Sequence, residues 1–353
     1  MEQPRTWAVL SLLGLVFVGM LALSAVAVDG YQQRRTVGSS PLTPGTTGAP
    51  GTPETSAPVP PSSAPPSTPV EPPSTEPDPP PTTEPVPPTG EPATLPGGRP
   101  KIFGDGRMLV AYYGSANTGA LGVLGETSPD RMVKRLRDAA APFARGGSEV
   151  QIVFELIVTV ADAHPGKDGD YSHDIARADV QRYIDAAHRH GALLLLDIQP
   201  GRSGFLSVVR RWKWALEDPY VGLALDPEWR MGRRGVPGHR IGSVSATEVN
   251  RVSKWLKTLV QIEDLPQKLF VLHQFRTDMI EDIGAIEPRA GLVMVQHVDG
   301  FGTPSQKLDT FNAVVRPQQF FLGFKLFYDE DHRLLKPGFV KAIRPRVQFV
   351  SYQ

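Results

Sequence analysis

Eight short runs of aliphatic and β-branched residues recur between residue 109 and residue 353, with polar, helix-patterned stretches between several of them. They are LVAYYG (109–114), VQIVFELIVTV (150–160), ALLLLDIQ (192–199), VGLALD (221–226), KLFVLHQF (268–275), GLVMVQH (291–297), FFLGFKLF (320–327) and VQFVSYQ (347–353). Runs this short, apolar at nearly every position, read as strands covered on both faces rather than as half-exposed strands with strict alternation. Strands that take turns with helices make βα units and a parallel sheet, and eight such units are the number that closes into a barrel. An open doubly wound sheet would call for a Gly-rich phosphate loop after the first strand, and none follows LVAYYG. The expected fold is therefore α/β, a (β/α)8 barrel of the TIM type.

The intervening stretches carry their own punctuation. SPDRMVKRLRDAAAPFA (128–144) opens with Ser128 as a cap and a proline in the first turn, and RADVQRYIDAAHRHG (177–191) closes on Gly191. SATEVNRVSKWLKTLVQIEDL (245–265) offers Ser245 with Glu248 three residues on, the pattern of a capping box. The eighth strand runs to the last residue, so no closing helix follows it, and the segment Arg99–Gly106 is expected to plug the barrel bottom instead.

The barrel accounts for residues 101–353 only. Of the 36 prolines, 22 fall between residues 41 and 100, in a stretch nearly free of large apolar side chains. Such a stretch buries too little surface to offset its ordering entropy, so residues 36–100 read as a disordered Pro/Thr/Ser-rich stalk. Ahead of it, WAVLSLLGLVFVGMLALSAVAV (7–28) holds 22 residues without a charge, enough for one membrane-crossing helix. Residues 1–35 are read as a signal peptide or a membrane anchor, with Ala25-Val26-Ala27 as a cleavage site under the first reading. Either places the barrel outside the cytoplasm, secreted or held at the cell surface. The chain has no cysteine, which leaves its stability to the core rather than to disulfides. Residues 101–353 hold 33 Lys and Arg against 29 Asp and Glu, too even a balance for a nucleic-acid partner.

In barrels of this kind the chemistry gathers at the carboxyl ends of the strands. Reading those ends in order yields Tyr112 and Tyr113, Glu155, Asp197 and Gln199, then Asp226, Glu228 and Trp229. The second half supplies His273 and Gln274, Gln296, His297 and Asp299, Lys325 and Tyr352. Asp226 and Glu228 are candidate catalytic residues and the others candidate substrate contacts. Sugar hydrolysis needs an acid with a raised pKa to protonate the leaving oxygen, and a second carboxylate or the substrate itself to support the cationic centre. Carboxylates at i and i+2 on an extended segment point the same way, so Asp226 and Glu228 are expected to share a proton near neutrality. Trp212 and Trp214 are further flat faces for sugar rings, although a tryptophan within a helix is more often core.

The run Gly222 to Glu228, G-L-A-L-D-P-E, is similar to the fourth-strand signature D-G-x-D-x-D-x-E of family 18 glycoside hydrolases, and VAYYG (110–114) resembles their opening strand. The resemblance implies that Glu228 is the general acid and that Asp226 positions an N-acetyl group of the substrate, which acts as nucleophile. Val221 and Ala224 stand where that family has Asp, and Gln296-His297 near its usual Tyr-Asp. A D-x-E on a barrel strand also resembles family 25 lysozymes, whose first-strand aspartate has no counterpart in LVAYYG. Next to the acids, EWRMGRRGVPGHRIGSVS (228–245) is a basic, Gly-rich loop suited either to an anionic polymer such as a cell-wall glycan or simply to solvent.

Asp162 with His164, His173 with Asp174, and His188 with His190 form no recognised zinc spacing, and neither a G-x-S-x-G elbow nor a cysteine nucleophile is present. No cofactor and no metal are expected. The leading expectation is a glycoside hydrolase acting on a cell-envelope or environmental polysaccharide. The alternative is a non-catalytic barrel that binds carbohydrate or protein at the cell surface, which the missing acids at 221 and 224 favour. Metal-dependent deacetylation or hydrolysis is the third class.

Overall fold

The computed structural model describes residues 93–104 and 106–353. All eight apolar runs form strands: β1 Met108–Ser115, β2 Val150–Ala161, β3 Leu193–Ile198, β4 Val221–Leu225, β5 Lys268–Gln274, β6 Leu292–Val298, β7 Phe321–Leu326 and β8 Val347–Tyr352. Each pairs in parallel with its sequence neighbours, and β1 pairs with both β2 and β8, so the sheet closes on itself. The fold is the (β/α)8 barrel expected from the alternation. A short strand, Ser172–Asp174, adds antiparallel to the outer end of β2.

Among the described residues seven α-helices occur: α1 Pro129–Ala144, α2 Arg177–His190, α3 Phe205–Val209, α4 Lys213–Leu216, α5 Ala246–Ile262, α6 Pro304–Val314 and α7 Pro337–Ala342. In α1, Met132, Val133, Leu136, Ala140 and Phe143 are buried, the one-sided spacing of an amphipathic helix laid on a sheet. α2 stops at Gly191, which adopts φ 64° and turns its N–H back to Ala187 and His188. Only half of the capping box on α5 forms. Ser245 accepts the Glu248 N–H, while the Glu248 carboxylate accepts from Phe205 N at 2.8 Å and Arg230 Nε at 3.0 Å. A complete box occurs instead on α6, between Thr303 and Gln306. Between β5 and β6 no α-helix forms. The connection holds the two residues Ile280–Glu281, paired with Val244–Ser245, and a 3-10 turn at Ile283–Ala285.

The strands separate two apolar layers. Tyr112, Phe154, Leu194, Leu223, Phe270 and Phe324 face the helices in a large outer cluster. Leu109, Ala111, Val153, Leu195, Val271 and Phe349 face the lumen. Leu95 and Ile102, both 2 % exposed, join this inner cluster with Phe103 packed beside them, so the segment before β1 closes the amino-terminal end of the barrel. Ile102 N donates to Gln267 Oε1 at 3.1 Å, and Arg99 and Arg107 both pair with Glu149. Leu95 and Pro96 are thus buried against the barrel although they fall within the span 36–100 read as stalk. Among the described residues no helix is long and apolar enough to cross a membrane. The apolar segment 7–28 and nearly all of the Pro-rich stretch lie outside the described residues.

Candidate active site

Alternation along each strand decides which of the rim residues enter the lumen. Tyr113 and Glu155 are register partners on β1 and β2, and Asp197 on β3 stands opposite Ile157 and Ala224. His273 and His297 are partners across β5 and β6, and Lys325 and Ser351 across β7 and β8. These side chains form one polar layer above the apolar core of the barrel. Asp226 and Glu228 follow β4, and Asp299 follows β6.

Glu155, Asp197, His273 and His297 are 0 % exposed, so their charges interact through protein rather than through water. Tyr113 donates its hydroxyl to Asp197 Oδ2 at 2.8 Å and accepts from Gln199 Nε2 at 3.3 Å. Burial and the surrounding carboxylates raise the Tyr113 phenol well above its ordinary value, so it stays a donor. His273 lies between two acids, with Nδ1 3.0 Å from Asp299 Oδ2 and Nε2 3.1 Å from Glu155 Oε1. The second contact has ion-pair distance but not hydrogen-bond alignment, and both Glu155 oxygens remain without a hydrogen-bond donor. Burial and Lys325 disfavour a charge on His273, but Asp299, Glu155 and Asp197 outweigh them and raise it well above the usual imidazole range. His297 is driven the other way by burial and by the nearby cations His273 and Lys325, and is held neutral with Nε2 3.1 Å from Ser351 Oγ. Gly323 makes room for that ring, since a Cβ there would stand 2.3 Å from His297 Cδ2. Lys325 Nζ lies 3.6 Å from the Tyr113 ring centre and 3.7 Å from Asp299 Oδ2. Burial opposes its charge, but Asp299 and the other lumen acids prevail, so Lys325 is held as an ammonium and not as a nucleophilic amine.

The remaining acids carry the perturbations that matter for proton transfer. Burial lifts Asp197 to about 6, with Glu155 adding to it and His273 and Tyr113 pulling back. Burial, then Glu228 and Asp197, push Asp226 well above the carboxylate range. Burial and the Asp299 charge push Glu228 up to about 8, against the pull of Lys325 and His273. Burial also pushes on Asp299, yet His273 and Lys325 hold it below its ordinary value. Of the residues Glu155, Asp197, Asp226, Glu228 and Asp299, only Glu228 is partly rather than fully buried. The segment carrying it is not extended: β4 ends at Leu225, and Pro227–Trp229 form a 3-10 turn after Asp226. Asp226 and Glu228 are therefore brought together by a turn at the barrel rim and not by strand alternation.

The structure divides the other sequence-predicted contacts. Tyr112, Gln274, Gln296 and Tyr352 do not enter the lumen. Tyr112 bonds Arg135 O at 3.4 Å and Tyr328 Oη at 3.3 Å, and Tyr352 stacks on Tyr328 with ring centres 5.3 Å apart. Gln296 donates to Gln274 Oε1 at 2.7 Å and Val314 O at 2.8 Å and accepts from Arg316 N at 2.7 Å, which ties the strands to the chain after α6. Gln199 lines the polar layer and accepts from Ala161 N. Trp229 sits partly exposed at the rim with its indole N–H unpartnered. Trp212 is core, donating to Thr159 Oγ1 at 2.9 Å. Ser351 was not foreseen; its parity with Phe349, the large inward residue of β8, is the signal that would have found it. Below the rim, Lys307 and Asp331 form a buried pair at 2.9 Å that joins the loops after β6 and β7 through Gly300 O, Lys325 O, Gly302 N and Phe327 N.

The basic loop after Glu228 is pinned, not free-standing. Met231 N donates to Gly201 O at 2.7 Å, Gly242 N to Glu228 O at 2.6 Å and Arg202 Nε to Gly235 O at 2.8 Å. Its Arg233, Arg234, His239 and Arg240 remain exposed. His173, His188 and His190 pair with Asp162, Asp218 and Asp130 at the surface. Among the described residues no three His, Asp or Glu side chains converge at metal-ligand spacing. Two clefts lie away from the lumen, one of about 750 Å³ by Arg289, Phe321 and Arg346 and one of about 390 Å³ by Asp130 and Arg189. Neither touches the polar layer, so the titratable cluster and not the clefts marks the candidate site.

No family model matches the chain, and no curated protein does so. Among solved structures it is similar to the crystal structure of a dihydrodipicolinate synthase from Bacillus clausii, with 12% identity, coverage of 69% of this chain and 67% of that one, and a TM-score of 0.30.

Proposed function

We propose that the protein is a glycoside hydrolase-type barrel that acts outside the cytoplasm on a cell-envelope or environmental polysaccharide, with Glu228 as general acid. The observation that carries this reading is Glu228 itself: a carboxyl raised to about 8, at the solvent-reaching edge of an otherwise sealed acidic lumen. A group of this kind holds its proton at neutral pH and stands where a leaving oxygen arrives. In the proposed step, the Glu228 proton passes to the glycosidic oxygen as the bond from that oxygen to the anomeric carbon breaks. Asp226 keeps a proton of its own, so it adds no negative charge beside the Glu228 carboxylate that the step leaves behind. Asp197, oriented by the Tyr113 hydroxyl and ionised above about 6, faces the positive charge that develops on the sugar. Water then adds at the anomeric carbon and gives its proton to the Glu228 carboxylate. The placement outside the cytoplasm rests on the apolar segment 7–28 and the Pro-rich stretch that follows it.

One observation favours the binding alternative: the innermost acids are fully buried, a state that also suits a rigid scaffold presenting its rim to a partner. Reducing-end release by the full-length protein from a panel of envelope polysaccharides and chitin-like oligosaccharides separates the two. Release by the parent and none by Glu228→Gln supports the hydrolase. Binding to the same glycans without release, unchanged in Glu228→Gln, supports the alternative.

A further inference from the structure

We propose that the lumen takes a sugar bearing a free, positively charged amine, so that the substrate class is a glycan containing unacetylated amino sugars. The inference rests on the hydrolase reading for the site and departs from the N-acetyl group that the sequence resemblance implies. Its basis is an imbalance of hydrogen-bonding groups. Asp197 Oδ1, Asp226 Oδ1, Asp299 Oδ1 and Glu155 Oε2 are buried and have no donor, and Glu155 Oε1 has only the poorly aligned His273 Nε2 at 3.1 Å. Buried acceptors left without donors are costly, and native proteins complete them with protein groups, ordered water or a ligand. Glu155 on β2 and Asp197 on β3 are inward positions of neighbouring strands, and Asp226 directly follows β4 beside them.

The lumen's own cations do not meet this demand. Five carboxyl groups face Lys325 and His273, and both cations are drawn toward Asp299, with His273 also beside Glu155. The Tyr113 hydroxyl is committed to Asp197 Oδ2. A divalent ion needs three or more ligands on one point, and no such group occurs among the described residues. An alkylammonium needs no such convergence, because its three N–H bonds reach separate acceptors. An acetamido carbonyl in the same place would bring one more acceptor to a wall of acceptors. Trp229 Nε1, an unpartnered donor at the rim beside Glu228, suits a hydroxyl of the same sugar. Burial first, and the neighbouring carboxylates after it, raise the proton affinities of Asp197, Asp226 and Glu228, and an incoming ammonium displaces protons from that set.

The test is isothermal titration of the full-length protein at pH 6.5 with three β-1,4 hexamers: glucosamine, N-acetylglucosamine and cellohexaose. The glucosamine hexamer is expected to bind about tenfold or more tightly than either neutral hexamer, as charge-assisted bonds outweigh neutral ones. Its heat is expected to vary with the ionisation enthalpy of the buffer, showing proton release. Asp197→Asn is expected to lose about tenfold for this ligand with little change for cellohexaose, which separates lumen binding from diffuse attraction. Equal or tighter binding of either neutral hexamer overturns the inference, as does no binding of the glucosamine hexamer by folded protein. Tight glucosamine-hexamer binding without cleavage of any oligomer keeps the inference and removes the hydrolase reading. Cleavage of the N-acetylated hexamer with no preference for the amine does the reverse.

Discussion

Glu228→Gln should reverse part of the pH dependence of stability, and the sign follows from where the proton is held. The native carboxyl binds its proton up to about 8, whereas an ordinary glutamate releases it near 4.5. Below 4.5 both states are protonated and the group is neutral to stability. Between 4.5 and 8 the native state binds more protons than the unfolded chain, so stability falls as pH rises, and above 8 the loss is complete. Each tenfold change in proton affinity is about 1.4 kcal/mol, so the whole displacement corresponds to about 5 kcal/mol. The partial exposure of Glu228 lowers the realised figure to roughly 2 kcal/mol. Glutamine keeps the shape and removes the titration. Urea unfolding of parent and variant from pH 4.5 to 9 reads this directly: the variant should gain about 2 kcal/mol on the parent across that span. Parallel curves, or a variant that loses ground as pH rises, would refute the placement of a protonated carboxyl at residue 228.

Two further perturbations test the supports of the site. Gly323→Ala puts a Cβ 2.3 Å from His297 Cδ2 and must displace that ring from Ser351, so a loss of about 1–3 kcal/mol is expected in urea titrations, while Gly104→Ala, which meets nothing within 4 Å, should stay within about 0.5 kcal/mol. Asp331→Asn leaves Lys307 charged and unpaired beneath the rim, and thermal unfolding should register a loss of about 3–5 kcal/mol, with a smaller loss when Lys307→Met is added.

Sequence periodicity carried the architecture because each strand's apolar run is the direct consequence of being covered on both faces. It carried less of the site, because a list of polar residues at strand ends does not say which face each one takes. Tyr112 and Tyr113, His273 and Gln274, and Gln296 and His297 are adjacent pairs in which one member enters the lumen and the other bonds the outer layer. Parity against inward residues such as Ala111, Val271 and Val295 separates them. The turn at Pro227–Trp229 was less accessible, since Asp-Pro-Glu fits either an extended end or a 3-10 start, and only the closed barrel brings Glu228 toward Asp299 on β6's far end. The Lys307–Asp331 pair joins residues 24 positions apart with no local pattern linking them.

The most direct measurement is a carbon-13 NMR titration of the Asp and Glu side-chain carboxyls in the full-length protein, with Glu228→Gln for assignment. The expected result is a glutamate carboxyl titrating near pH 8 that is absent from the variant, accompanied by an aspartate still protonated at neutral pH that responds to the substitution. Titration of every glutamate below about pH 5.5, close to the ordinary range, would contradict the assignment of Glu228 as a proton-carrying acid.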